Sequence, residues 1–124
     1  MWKKKPKIEM ILGPGTQLEG IIHSEGILRI DGFLNGGVAI AQEVLIGKTG
    51  KVKGDIKAKT VAVSGNVTGN ITALNSIKML PNAEVYGDIE TKYLSILPGA
   101  IFQGNCTMKK EKTKVIDIEK RKGE

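Results

Sequence analysis

Apolar and polar residues alternate along most of the chain in short runs, and no stretch holds a 3.6-residue period. Alternation sends successive side chains to opposite faces, so it predicts strands and not helices. A five-residue unit recurs: an apolar residue, any residue, Gly, often Asp or Asn, then usually an apolar residue. It reads Val52-Lys53-Gly54-Asp55-Ile56, Val67-Thr68-Gly69-Asn70-Ile71 and Val85-Tyr86-Gly87-Asp88-Ile89. A weaker copy is Phe102-Gln103-Gly104-Asn105-Cys106, and two earlier ones start at Leu18 and Leu34. The glycines 20, 36, 54, 69, 87 and 104 lie 15 to 18 residues apart. A second alternating unit falls between copies: Leu28-Arg29-Ile30, Val44-Leu45-Ile46, Val61-Ala62-Val63, Ile77-Lys78-Met79 and Leu94-Ser95-Ile96.

From the first apolar residue of a copy to the end of the second unit, the step is 12, 12, 11, 12 and 11 residues. Connections onward are short at Asp31-Gly32-Phe33 and Ser64-Gly65-Asn66. They are two residues longer at 47–51, 80–84 and 97–101, where Gly, Pro-Asn and Pro-Gly supply turn chemistry. A difference of two preserves side-chain parity, whereas one would turn a strand inside out. A helix-free repeat of about 17 residues is too short for a Greek key or a propeller blade, and it suits one three-sided coil of a parallel β-helix. Six coils about 4.8 Å apart make a rod on the order of 29 Å long.

Like residues then stack on like. One inward column is Leu18, Leu34, Val52, Val67, Val85, Phe102. A second is Ile22, Val38, Ile56, Ile71, Ile89, Cys106, and a third is Ile30, Ile46, Val63, Met79, Ile96. Cys106, falling in the Ile column, is expected to be a buried structural thiol. The Gly column marks a bend where a side chain would crowd the next coil. The outward column after Gly ends Asp55, Asn70, Asp88, Asn105. Interleaved Asn relieves carboxylate repulsion by hydrogen bonding, so this ladder is read as structural in preference to a cation site.

Composition sharpens the outline. The chain has 124 residues, with 16 Gly, 40% hydrophobic and 4% aromatic content. That much Gly fits no helical bundle, and that much Ile, Val and Leu fits no disordered chain. There is neither an apolar run long enough to span a membrane nor the apolar core of a signal peptide. One Cys leaves no intrachain disulfide framework. The net charge of +6 divides into +3 for residues 1–10, zero for 11–108 and +3 for 109–124. These boundaries predict a basic N-terminal tail, a neutral folded body and a charged C-terminal tail, both tails disordered.

Open ends of a β-helix present unpaired strand edges, and no capping helix is evident here. Coils of adjacent molecules are therefore expected to stack end on end into filaments. The contact candidates are Ile11, Leu12 and Leu18 at one end and Ile101, Phe102, Cys106 and Met108 at the other. A monomer or small oligomer acting as a β-helical binding module is the alternative.

Enzymatic readings find less support. Sugar-cleaving β-helices are much larger chains. A hexapeptide-type acyltransferase would keep a strict six-residue period and orient a catalytic His. His23, the single His, stands beside Ser24 in the first coil and is expected at the surface or in a turn. Gly13-Pro14-Gly15-Thr16 lacks the Lys and helix of a phosphate-binding loop. No catalytic residue, metal or cofactor is expected. An adhesin or ice-binding solenoid would need a secretion signal and a flat Thr-rich column.

The Val-x-Gly-Asp-Ile units, the Leu-Ser-Ile-Leu-Pro-Gly-Ala run, six coils and short tails together resemble the bactofilins, bacterial polymer-forming cytoskeletal proteins. The resemblance covers residues 10–108. It implies a right-handed parallel β-helix, in keeping with the handedness of parallel crossovers. It also implies nucleotide-independent, non-polar filaments built by like-to-like end contacts. Further implications are a cytoplasmic location at the inner face of the membrane and scaffolding of cell-wall enzymes or other partners that shape the cell. Phe102 matches, by place and type, an aromatic that supports polymerisation in the family.

Each tail adds a reading. Met1, Trp2, Lys3, Lys4, Lys5 and Lys7 combine an interface-seeking ring with a basic patch suited to an anionic membrane surface. They look like the family's membrane-targeting segment. Pro6 argues against a continuous amphipathic helix. The C-terminal tail mixes Lys with Glu and Asp and lacks aromatics, which weakens a nucleic-acid reading and favours a solvated tail.

Overall fold

A computed structural model describes residues 8–108. Thirteen strands and no helix make up these residues, and all strand pairing is parallel. After β1 (Ile8–Leu12), coil 1 holds β2 (Gln17–His23) and β3 (Ile27–Ile30). Coil 2 holds β4 (Phe33–Ile40) and β5 (Glu43–Ile46), and coil 3 is the single bent strand β6 (Lys51–Val63). Coil 4 holds β7 (Asn66–Thr68) and β8 (Ile71–Met79). Coil 5 holds β9 (Glu84–Tyr86), β10 (Ile89–Thr91) and β11 (Tyr93–Ile96). The described part of coil 6 holds β12 (Ile101–Gln103) and β13 (Cys106–Met108).

Three ladders result. The first runs β2-β4-β6-β7-β9-β12, the second β2-β4-β6-β8-β10-β13 and the third β1-β3-β5-β6-β8-β11. The protein is a parallel β-solenoid of about six turns. Its first strand adds a third-ladder rung before coil 1, and the described residues of coil 6 add none. β1 starts at Ile8, inside the stretch read as tail; Met10 and Leu12 continue the inward alternation by stacking on Leu28 and Ile30.

The three inward columns hold residue for residue. Leu34, Val67, Val85, Ile71, Ile30, Val63 and Met79 are fully buried. Branched aliphatics fill a narrow parallel core because each rung must pack on both its neighbours. The longer connections close as turns, with Gly50 N–H donating to the Gly47 carbonyl at 2.8 Å and Ala83 N–H to that of Leu80 at 2.9 Å. The glycine column does bend the chain. Gly54 has φ +147°, and a β-carbon there would land on the carbonyl oxygen of Gly36 one coil earlier.

The Asp/Asn column is a hydrogen-bond ladder. The Asn70 backbone N–H donates to Asp55 Oδ1 at 3.0 Å, that of Asp88 to Asn70 Oδ1 at 3.1 Å, and that of Asn105 to Asp88 Oδ1 at 3.2 Å. Each side chain caps the N–H of the coil above it, so a bend that breaks the ordinary ladder keeps its donors satisfied.

Candidate self-assembly interface

Among the described residues the three ladders terminate in open edges at both ends of the rod. The C-terminal end is formed by β11, β12 and β13, each paired on one side only. Five inward side chains surface there: Leu94, Ile96, Phe102, Cys106 and Met108. One coil earlier their column partners Ile77, Met79, Val85, Ile89 and Thr91 are at most 1% exposed. At the top of the column Ile96 is 45% and Met108 49% exposed, and Phe102 is half-buried against the core. Apart from Met108, which stands on the buried Thr91, these side chains stand on apolar column partners, and among the described residues they lack a cover.

Cys106 corrects an expectation. Its register on Ile89 holds, but its thiol is free and exposed, since among the described residues no further coil lies above it. Ile101 points outward beside this end and is 44% exposed, and Tyr93 is exposed as well. Tyr93, Leu94 and Ile96 were not among the sequence candidates. The repeat in the sequence stops after its second side in coil 6, and that truncation is the signal that β11 ends uncovered among the described residues.

The N-terminal end differs. β1 and the outer edge of β2 are open, and Ile11 is 58% exposed. Leu12, however, turns inward and is only 4% exposed, which removes its side chain from the contact candidates. Leu18 is half-buried, and Ile22 is 8% exposed. The inward columns are thus less exposed at this end than at the other. Met1, Trp2, Lys3, Lys4, Lys5 and Lys7 lie outside the described residues.

Several polar groups along the rod are engaged in structural pairs. Arg29 Nε donates to Asp31 Oδ2 at 2.8 Å, and this hydrogen bond, with the carboxylate's charge, raises the guanidinium pKa. The Tyr86 hydroxyl donates to Glu84 Oε1 at 3.0 Å, which pushes the phenol pKa up. His23 is exposed, and the neighbouring Ser24 oxygen accepts the Gly26 N–H at 3.2 Å. Among the described residues no three His, Cys, Asp or Glu side chains converge as metal ligands.

Known proteins share this architecture and its extent. Residues 10–107 match the bactofilin family, described as polymer-forming cytoskeletal. Bactofilin BacO of Myxococcus xanthus is 31% identical over 98 residues, which are 79% of this chain and 78% of that protein. BacP of the same organism is 29% identical, and the match spans 41% of its length. The solid-state NMR structure of the cytoskeletal bactofilin BacA superposes with a TM-score of 0.74 at 33% identity, covering 84% of this chain and 98% of that one. The cryo-EM reconstruction of Thermus thermophilus bactofilin double helical filaments superposes at 0.73 with 28% identity, covering 82% and 100%. A six-turn parallel solenoid with uncovered ends, matched over nearly its whole described length, places this chain in the bactofilin family of polymer-forming cytoskeletal proteins.

Proposed function

We propose that this bactofilin is a non-enzymatic scaffold whose bodies join end on end into filaments without nucleotide. The supporting observation is the open core at the C-terminal end. Five inward side chains there keep the chemistry of a solenoid interior while lacking its cover. Seating a second body on them removes apolar surface from water at roughly 25 cal/mol per Å². The two ends differ in openness, so C-terminal ends facing one another match the larger apolar surface with itself. Ile101, Phe102, Cys106 and Met108 carry this contact. Ile11 and Leu18 serve the opposite one, where the open backbone edges of β1 and β2 do the pairing.

The same reading puts the filament at the cytoplasmic face of the membrane through Met1, Trp2, Lys3, Lys4, Lys5 and Lys7. Each Lys near an anionic leaflet contributes about 1 kcal/mol. One copy holds weakly, and a filament displaying many copies holds by avidity. A membrane-bound filament then organises cell-wall-modifying or other partner proteins.

Negative-stain microscopy and sedimentation of the purified chain without nucleotide test the assembly. Filaments across a range of salt are expected; small monodisperse particles throughout would overturn it. Co-sedimentation with anionic liposomes tests the membrane contact, with a Trp2→Ala, Lys3→Ala variant expected to bind several-fold less. Equal binding by both chains would remove that claim.

A further inference from the structure

Leu74 is out of place on this rod. The other large exposed hydrophobics among the described residues sit at the two ends: Ile11 and Ile21 at one, Tyr93, Ile96, Ile101 and Met108 at the other. Leu74 lies on the fourth coil and is 64% exposed. It lines a groove of about 430 Å³ together with Ala41, Ala58, Lys57, Lys59 and Glu25.

The groove has a cause in the chain. It follows the corner between the second and third ladders. Coil 3 turns this corner with three residues, 57–59, between Ile56 and Thr60. Coils 2 and 4 use four, 39–42 and 72–75, between the matching register positions. The short turn is recessed between two wider ones. It has alanines at its floor, Leu74 on one wall and the exposed Lys57 and Lys59 along it.

We propose that this groove is the docking site for residues 115–119 of the same chain, Val-Ile-Asp-Ile-Glu. Three observations select that occupant. First, every complete coil turns this corner after its second ladder, and β13 is a second-ladder strand, so the chain reaches the same corner at Met108. Second, the reach suffices: Val115 is seven steps along the chain from Met108, a span of up to about 23 Å, whereas coil 3 lies about 14 Å back along the rod. Third, the charges match in order. In an extended segment Ile116 and Ile118 share one face, toward Leu74 and the alanines, while Asp117 and Glu119 alternate with them and meet Lys57 and Lys59. Lys120 and Arg121 follow in the sequence and meet Glu25, which closes the far rim. The short tether gives an effective concentration near millimolar, so weak docking is enough to populate the seated state. A tail seated this way runs toward the middle of the rod and leaves the C-terminal end clear.

Cross-linking of the full chain tests the site. In a Cys106→Ser background, Gln42→Cys with Ile118→Cys is expected to give an intrachain disulfide, seen as a fast-migrating monomer under non-reducing conditions. Lys53→Cys, one coil further along and on the first ladder, is expected to give about tenfold less. Adding Asp117→Lys and Glu119→Lys lowers the Gln42 yield about tenfold, and further adding Lys57→Glu and Lys59→Glu restores it. Unchanged far-UV circular dichroism checks the fold of each variant. Equal yields at Lys53 and Gln42, no cross-link at either, or charge reversals without effect would overturn the proposal. So would products that are only interchain, which would assign the groove to a second copy.

Discussion

Phe102 stacks in register on Val85, yet Val85 is fully buried and Phe102 only half so. Both side chains are apolar and share the inward register, and Val85 has a coil above it where Phe102, among the described residues, has none. Phe102 therefore combines an anchored base with an open upper surface, the arrangement of an interior residue awaiting its next rung.

Phe102→Arg puts a charge into a contact that is dry when made. Leaving an unpaired charge there costs about 3–5 kcal/mol, enough to reduce end association more than a hundredfold. Pelleting by ultracentrifugation is expected to fall to background while the β-sheet circular dichroism is retained. Phe102→Leu, which keeps the contact apolar, is expected to retain filaments.

The Gly column separates two effects. At Gly54 a β-carbon meets both an unfavourable φ and the immovable carbonyl of Gly36. At Gly20, φ is +132° but nothing lies within 4 Å of the added carbon. Gly20→Ala carries backbone strain alone, about 1–3 kcal/mol, whereas Gly54→Ala adds displacement of a neighbouring coil. Denaturant titration is expected to rank wild type above Gly20→Ala and Gly20→Ala well above Gly54→Ala.

Asn70 holds the Asp88 N–H and lies between two carboxylates. Asn70→Ala leaves that donor without its acceptor and is expected to cost about 1 kcal/mol. Asn70→Asp keeps an acceptor but sets three carboxylates in a row on adjacent coils. Its loss is expected to shrink as sodium chloride is raised, because exposed charges are screened, while the Asn70→Ala loss is expected to persist. Thermal melts at low and high salt distinguish the two.

The interior of this rod was legible in the sequence because parity and period over-determine it. Val52, Val67 and Val85 recur with connections differing by two residues, so one register satisfies every column. The ends were not legible in the same way, since repetition says what stacks and not where stacking stops. Cys106 has the right parity for burial and no rung to bury it. At the other end, Met10 and Leu12 alternate correctly, but the lysines just before them drew the boundary too late. The 12-and-11 step lengths were visible too. Which corner loses the residue depends on pairing between coils, and only Ala58 stacked on Ala73, with Thr60 stacked on Ser76, assigns it to the turn beside Leu74.

Cys106 offers a test of which end is joined. Its thiol is exposed on the isolated body, so a thiol reagent should label the unassembled Phe102→Arg chain rapidly. If C-terminal ends meet, the same thiol is covered in filaments, and labelling is expected to slow by about tenfold or more because thiol reactivity follows access. Dissolving the filaments should restore the fast rate. Equal rates in filaments and in the Phe102→Arg chain would mean that the open core is not the contact, and assembly would then have to run through the edges of β1 and β2 or along the sides of the rod.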